Sequence, residues 1–60
     1  MEAPKNEIIW VVYIIDDKPG YAITSTRSRE VYFLYKVEDE KLIKTKHKAE
    51  NPMDLEKYVK

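Results

Sequence analysis

Hydrophobic residues along the chain fall into four stretches that short polar segments separate. The first, Ile8–Ile15, consists of eight consecutive apolar residues, whereas the later stretches alternate between apolar and polar positions. Alternation with a period of two is typical of β-strands, and the many β-branched and aromatic residues favour the same structure. The pattern therefore predicts strands at about residues 7–15, 21–26, 30–37 and 41–48.

The polar segments between these stretches predict tight reversals of the chain. The segment at 16–20 contains Pro19 and Gly20, which are both common in turns, and the segments at 27–29 and 38–40 are short and polar. Such short connections join neighbouring antiparallel strands. We therefore expect a four-stranded antiparallel meander.

Loop length decides which side chains share a face, because a shift of one residue exchanges the two faces of a strand. Loops of five, three and three residues place apolar residues from all four strands on one core face. A two-residue loop at Asp39-Glu40 is rejected, because it sets lysines opposite aromatic residues of the third strand. The predicted core face consists of Ile9, Val11, Tyr13, Ile15, Tyr21, Ile23, Val31, Phe33, Tyr35, Val37, Ile43 and Thr45.

The last ten residues have helical rather than strand character. Asn51 is a favourable N-cap and Pro52 suits the first helical position. Leu55 and Tyr58 then follow the spacing of one helix face. We predict a short helix at about residues 52–59, which covers one face of the sheet.

Together these elements predict one small domain over residues 1–60. Its class is α+β, mainly β: a four-stranded antiparallel meander with a short C-terminal helix. The sheet is either open or closed into a small SH3-like barrel, and the pattern alone leaves both alternatives open.

A second face of the predicted sheet is also apolar near the first strand. A single short helix covers one face only, so these side chains belong either to the core of a closed barrel or to an interface with another chain. Exposed apolar patches on globular proteins usually mark interaction sites. The candidate interface residues are Ile8, Trp10, Val12, Ile14, Tyr32 and Leu34.

The composition limits the chemistry that the chain can perform. It contains no cysteine and a single histidine, His47, so disulfides, thiolate metal sites and cysteine nucleophiles are excluded. Asp16 and Asp17 are adjacent carboxylates, but the further oxygen ligands that calcium needs are not apparent. No spacing of acid, base and nucleophile identifies a catalytic group. We expect no enzyme activity, no metal site and no cofactor.

A basic stretch in the fourth strand suggests an alternative function. Cations that contact phosphates, beside aromatic side chains that stack on bases, are typical of nucleic-acid-binding barrels, and Trp10 and Tyr32 are predicted on the same face as the lysines. The basic residues are Arg27, Arg29, Lys44, Lys46 and Lys48. However, the formal net charge is zero, and lysines on an edge strand also prevent aggregation.

The sequence therefore predicts a non-enzymatic protein-interaction or regulatory module, which acts as a homodimer or as a small accessory subunit. Nucleic acid is the alternative partner, and neither a membrane nor a small-molecule substrate is indicated. No apolar run reaches the roughly 20 residues of a membrane-spanning helix, and the first six residues lack a signal-peptide pattern, so we expect a cytoplasmic protein. Abundant Lys and Glu without Gln are typical of thermophile proteins.

Overall fold

The computed structural model describes residues 2–59 as four antiparallel strands followed by one short helix. The strands lie side by side in sequence order, so the sheet is open and its two edges are the first and the last strand. The predicted α+β meander is confirmed, in its open form. The elements are β1 (Glu7–Ile15), β2 (Lys18–Thr26), β3 (Tyr32–Glu38), β4 (Lys41–Ala49) and α1 (Met53–Glu56).

The β1–β2 and β3–β4 connections are both two-residue turns, at Asp16-Asp17 and Asp39-Glu40. All four residues have positive φ, between 51° and 65°, as in the type I′ turn that suits a two-residue hairpin. The predicted five-residue loop and the rejection of a two-residue loop at Asp39-Glu40 are therefore wrong. The sequence lacks the glycine that usually marks this turn, although Asp tolerates positive φ better than most residues.

Gly20, the only glycine, lies within β2 rather than in a turn. A β-bulge at this point leaves Tyr13 opposite Tyr21, so these two residues share a face as predicted. The side chain of Ile15 packs directly against the glycine, and a Cβ atom on Gly20 would lie 2.8 Å from the Cδ1 atom of Ile15. Glycine is favoured here by this close approach and not by its backbone conformation.

The side chains of the third strand lie on the opposite faces of the sheet from those predicted. The N–H of Thr26 donates to the carbonyl of Val31 at 3.2 Å, so the loop spans residues 27–30 and the pairing is shifted by one residue. This shift exchanges the two faces of the strand and sets Leu34 opposite Ile23. The predicted core residues that lie on the other face instead are Val31, Phe33, Tyr35 and Val37.

A second β-bulge lies in β1. Ile9 pairs with Thr24, but the next pair is Val11 with Ile23, so Trp10 is an extra residue with no partner of its own. A bulge interrupts the alternation of side chains. The residues of β1 that precede the bulge therefore lie on the opposite face of the sheet from the predicted one.

The core lies on the face of the sheet that α1 covers, which we call the helix face. Its buried hydrophobic residues are Ile23, Tyr32, Leu34 and Leu55. Complete burial of a large apolar side chain contributes roughly 1.5–3 kcal/mol to stability. Partly buried residues that pack against this cluster are Val11, Tyr13, Tyr21, Ala49 and Val59.

The helix begins as predicted but is shorter. The Oδ1 atom of Asn51 accepts the N–H of Met53 at 2.9 Å, and Pro52 has helical dihedral angles. Asn51 therefore caps the helix. Instead of the predicted range 52–59, α1 has four residues and continues only as tight turns.

Two side-chain contacts hold the helical segment against both edges of the sheet. The hydroxyl of Tyr13 in β1 donates to Oε1 of Glu56 at 2.8 Å. The ring of Tyr58 stacks on the ring of His47 in β4, with 3.8 Å between the ring centroids. His47 thus has a structural contact, and α1 is fixed at both sides of the helix face.

The opposite face of the sheet, here called the far face, is partly covered by the N-terminal segment. Glu7 donates its N–H to the carbonyl of Pro4 at 3.0 Å and Asn6 has a φ of 67°, so the chain reverses just before β1. Glu2 and Pro4 then border Leu42 at the start of β4. The segment thus shields part of the far face and leaves the outer edge of β1 free.

Candidate interaction site

β1 is an edge strand, so part of its backbone directs hydrogen-bonding groups away from the sheet. Because the N–H of Thr26 bonds to the carbonyl of Val31, the backbone groups of Thr26 and of every second residue before it point toward β3. The backbone groups of the residues between them point toward β1. Their partners on β1, which face inward, are Ile8, Val11 and Tyr13. The residues of β1 that face outward are Glu7, Ile9, Val12 and Ile14.

Two large apolar side chains of β1 are open to solvent. Ile14, on the far face, is 63% exposed, and Trp10, at the bulge, is 46% exposed. The Trp10 ring makes an edge-to-face contact with Tyr32 at 5.6 Å between centroids. The guanidinium of Arg29 lies 5.7 Å from the centre of the Trp10 ring. The indole is therefore held in place at the edge without being covered.

The six predicted interface residues do not form one surface. Tyr32 and Leu34 lie on the helix face and are only 8% and 1% exposed, because they form the core of this chain. The remaining four residues all belong to β1, and they lie on both faces of the sheet. On the helix face are Ile8 and Trp10, and on the far face are Val12 and Ile14. The structure thus narrows the candidate interface to a single edge strand.

The predicted basic residues are exposed, and Arg29 lies beside Trp10, but the three lysines do not. Lys44, Lys46 and Lys48 belong to β4, at the other edge of the sheet, and the ammonium of Lys44 lies 5.0 Å from the ring centre of Phe33. Trp10 and Tyr32 are on the helix face, whereas the side chains of Lys44 and Lys48 are on the other face of the sheet. The predicted platform of stacking rings beside a lysine stripe is therefore not formed.

The backbone of Lys44 also faces outward. A two-residue turn closes on a hydrogen-bonded pair, here Glu38 and Lys41, and the direction then alternates along the strand. The N–H of Lys44 consequently points away from β3. Both edges of the sheet thus carry unpaired backbone groups, and they differ in the side chains beside them.

A carboxylate fastens the start of β1 to the far face. Oε1 of Glu7 accepts the hydroxyl of Thr24 at 2.6 Å and the hydroxyl of Tyr35 at 2.9 Å. Burial, together with the bond to Glu7 and its negative charge, raises the pKa of Tyr35 to about 12. The phenol is therefore a hydrogen-bond donor that holds β1 and not an acid at neutral pH.

Tyr13 is in a similar state on the helix face. Burial is the main cause that raises the pKa of Tyr13 to about 12, and the hydrogen bond to Glu56 and its charge add to it. Each hydroxyl is engaged in a hydrogen bond to a carboxylate that joins two parts of the fold. Their chemistry is structural.

A broad depression lies between the two hairpin turns. It is lined by apolar residues, including Ile15, Pro19 and Val37, and by charged residues such as Asp39 and Glu40. Within residues 2–59, no three His, Asp or Glu side chains converge on a point where they could hold a metal ion.

Sequence reasoning missed the contribution of Ile9, whose backbone faces outward although it was assigned to the core. It also missed the bulge at Trp10. The apolar run of β1 contains no alternation that could have marked either feature.

No family model, curated protein or solved structure matches this chain. In the part of the chain that the structure describes, no helix has the length and apolar character needed to cross a membrane.

Proposed function

We propose that this protein is a non-enzymatic interaction module that binds a protein partner through the outer edge of β1. The observation that carries the proposal is the combination, on one edge strand, of unpaired backbone groups with the exposed side chains of Trp10 and Ile14. It acts by occupancy, as a homodimer or as a small subunit of a larger assembly.

Addition of a strand to such an edge is a known mode of recognition. Main-chain hydrogen bonds supply affinity, while the side chains beside them supply specificity. Tryptophan is among the residues that most often dominate the energy of an interface. The ring of Trp10 is already oriented by Tyr32 and Arg29, so little of its freedom is lost on binding.

Small secreted domains usually depend on disulfides, and this chain has no cysteine. We therefore propose that it acts in the cytoplasm. Nucleic-acid binding by the lysines of β4 is the competing function, and the separation of those lysines from Trp10 argues against it.

The proposal is tested by placing a photo-cross-linking amino acid at Ile14 of the full chain in its source cells. Lys46 is the matched control position, since it is also exposed but lies on the other edge. We expect a defined cross-linked protein species from position 14 and none from position 46. Cross-linking of protein or nucleic acid from position 46 alone would contradict the proposal and favour the competing function.

A further inference from the structure

We infer that the partner of β1 is a second copy of this chain, paired antiparallel β1 to β1, so that the two sheets form one continuous eight-stranded sheet. This inference rests on the proposed function, because it uses the same edge. It adds the identity of the partner and the register of the pairing.

The spacing of the outward-facing residues is what selects the partner. On a regular strand, every second residue faces outward. On β1, Ile9 and Val12 both face outward although they are three residues apart, because the bulge at Trp10 intervenes. If a regular strand pairs with Val12 and Ile14, its residue opposite Ile9 therefore directs its backbone groups away from β1 and cannot bond to Ile9.

A second copy of β1 carries the same irregular spacing. When Ile9 of one copy faces Val12 of the other, the two bulges lie opposite each other across the symmetry axis, and Val12 then faces Ile9 in return. Glu7 faces Ile14 at both ends of the paired region. In this register, every outward-facing residue of β1 meets an outward-facing residue of the second copy.

The backbone groups are suitably unpaired for this arrangement. Ile9, Val12 and Ile14 have free N–H and C=O groups on the outer side of β1. The N–H of Glu7 is already bound to the carbonyl of Pro4, so only its C=O accepts, from Ile14 of the second copy. The interface thus contains about six backbone hydrogen bonds.

Charges at the two ends of β1 are complementary in the same register. Lys5 belongs to the turn just before β1 and Asp16-Asp17 follow the strand, so in this register the basic end of one strand lies at the acidic end of the other. Within the described chain, neither Lys5 nor these aspartates form an ion pair, since the one salt bridge found joins Lys36 to Glu38. Such complementarity fixes orientation and register more than affinity.

The exposed apolar side chains are also accounted for. Trp10 lies beside the symmetry axis on the helix face, so the two indoles become neighbours. Ile14, on the far face, comes beside the side chains of the second copy's first residues. Both side chains lose the solvent exposure that they have in the single chain.

The first test is the mass of the wild-type protein in analytical ultracentrifugation at micromolar concentrations, where we expect a dimer. Val12→Pro removes an outward N–H without breaking a bond between β1 and β2, and proline is tolerated on edge strands in this orientation. It should raise the dissociation constant about tenfold or more. Lys44→Pro, the same change on the outer edge of β4, is the matched control and should leave the dimer intact.

Circular dichroism checks that each variant is folded. If Val12→Pro does not fold, Ile14→Glu replaces it, because this side chain is exposed in the single chain and would face the Glu7 carboxylate of the second copy, which adds repulsion only in the dimer. A dimer that persists in these variants would overturn the inference and also the proposed site.

The register is tested by disulfide trapping, since the chain has no cysteine of its own. A mixture of Ile9→Cys and Val12→Cys chains should form a mixed disulfide dimer on mild oxidation, because directly opposite Cα atoms in a hydrogen-bonded pair lie about 5.5 Å apart. A mixture of Ile9→Cys with Ile14→Cys should not. Trapping of the second mixture in preference to the first would refute the register.

The outcomes separate this inference from the proposed function. A wild-type protein that sediments as a monomer, while position 14 still cross-links to a different protein, would overturn the second copy as partner. It would leave the interaction module in place.

Discussion

Both edge strands of the sheet have unpaired backbone groups, but the side chains beside those groups differ in chemical character. Beyond Glu7, the outward-facing residues of β1 are apolar: Ile9, Val12 and Ile14. β4 also has Leu42 facing outward near its start, but lysines take the later places, including Lys44 and Lys48. Lysines are a common protection of an edge strand, because they make pairing with another chain unfavourable. β1 has only its bulge for this purpose, and a second copy of the strand matches that bulge.

Both edge strands are therefore irregular, since β4 also shifts register between its pairs with Phe33 and Tyr35, but only β4 is in addition closed to pairing by charge. Charge excludes all strands without distinction. A bulge excludes regular strands and admits one with the same irregularity. The difference explains how an apolar edge can be kept in a small domain without general aggregation.

The largest effect is expected from making β4 resemble β1. Lys44→Val, Lys46→Val and Lys48→Val together remove the charges and leave an apolar edge of high β-propensity. We expect this variant to form large aggregates, measured by light scattering and sedimentation. A variant with three lysines replaced elsewhere, at Lys18, Lys36 and Lys57, controls for net charge, and equal aggregation of the two variants would contradict the role of the edge.

Alkaline pH should weaken the attachment of β1 before that of β4. The pKa of both Tyr13 and Tyr35 is raised from 10.0 to about 12. Tyr13, which belongs to β1, donates to the carboxylate of Glu56, and Tyr35 donates to the carboxylate of Glu7 in β1. Between pH 10 and pH 12 the unfolded chain has lost these protons and the folded chain keeps them, so stability falls as the pH rises.

Chemical denaturation across this pH range measures the loss. The double variant Tyr13→Phe, Tyr35→Phe should show a shallower dependence, since lysine titration is common to both proteins. An unchanged slope in the double variant would show that these two phenols do not cause the loss.

Single side-chain bonds should also differ between the two edges. Tyr35→Phe removes a donor to the charged Glu7 at β1, which is expected to cost about 1.5–3 kcal/mol of unfolding free energy. Thr45→Val removes two bonds at β4, from its Oγ1 atom to the carbonyl of Leu34 and from the N–H of His47 to Oγ1, with an expected cost of about 0.5–1.5 kcal/mol for each. Urea denaturation measures both variants, and a larger loss per bond from Thr45→Val would reverse the ranking.

The smallest effect is expected next to β1, at Ser25. Its buried Oγ atom has no hydrogen-bond partner, so Ser25→Ala should change stability by less than about 0.5 kcal/mol or increase it slightly. Thr24→Val is the matched variant, because Thr24 is equally buried but donates to Glu7 at 2.6 Å. Thermal unfolding of both variants should show a clear loss for Thr24→Val alone.

The positions of the strands could be predicted from the sequence, because alternation and turn residues mark them. The faces on which the side chains of β3 lie could not be predicted. They depend on a loop of four rather than three residues, and residues 27–30 are polar throughout. The turn at Asp39-Glu40 was also missed, because neither residue is the glycine that usually identifies it.

The candidate site was predictable in part. The surplus of apolar residues in β1 indicated an interaction surface, and Trp10 and Ile14 are exposed. Tyr32 and Leu34 were assigned to this surface because β3 was placed in the wrong register. The bulge at Trp10 had no signal, since a continuous apolar run has the same pattern with or without an extra residue.

The pairing of each strand with its neighbour in sequence has a consequence for synthesis. All contacts in the sheet close over short loops, and such local topologies fold quickly. A ribosome adds about 5–20 residues per second, so β2 is complete roughly one second after β1. The most aggregation-prone segment of the chain therefore spends little time without its first partner.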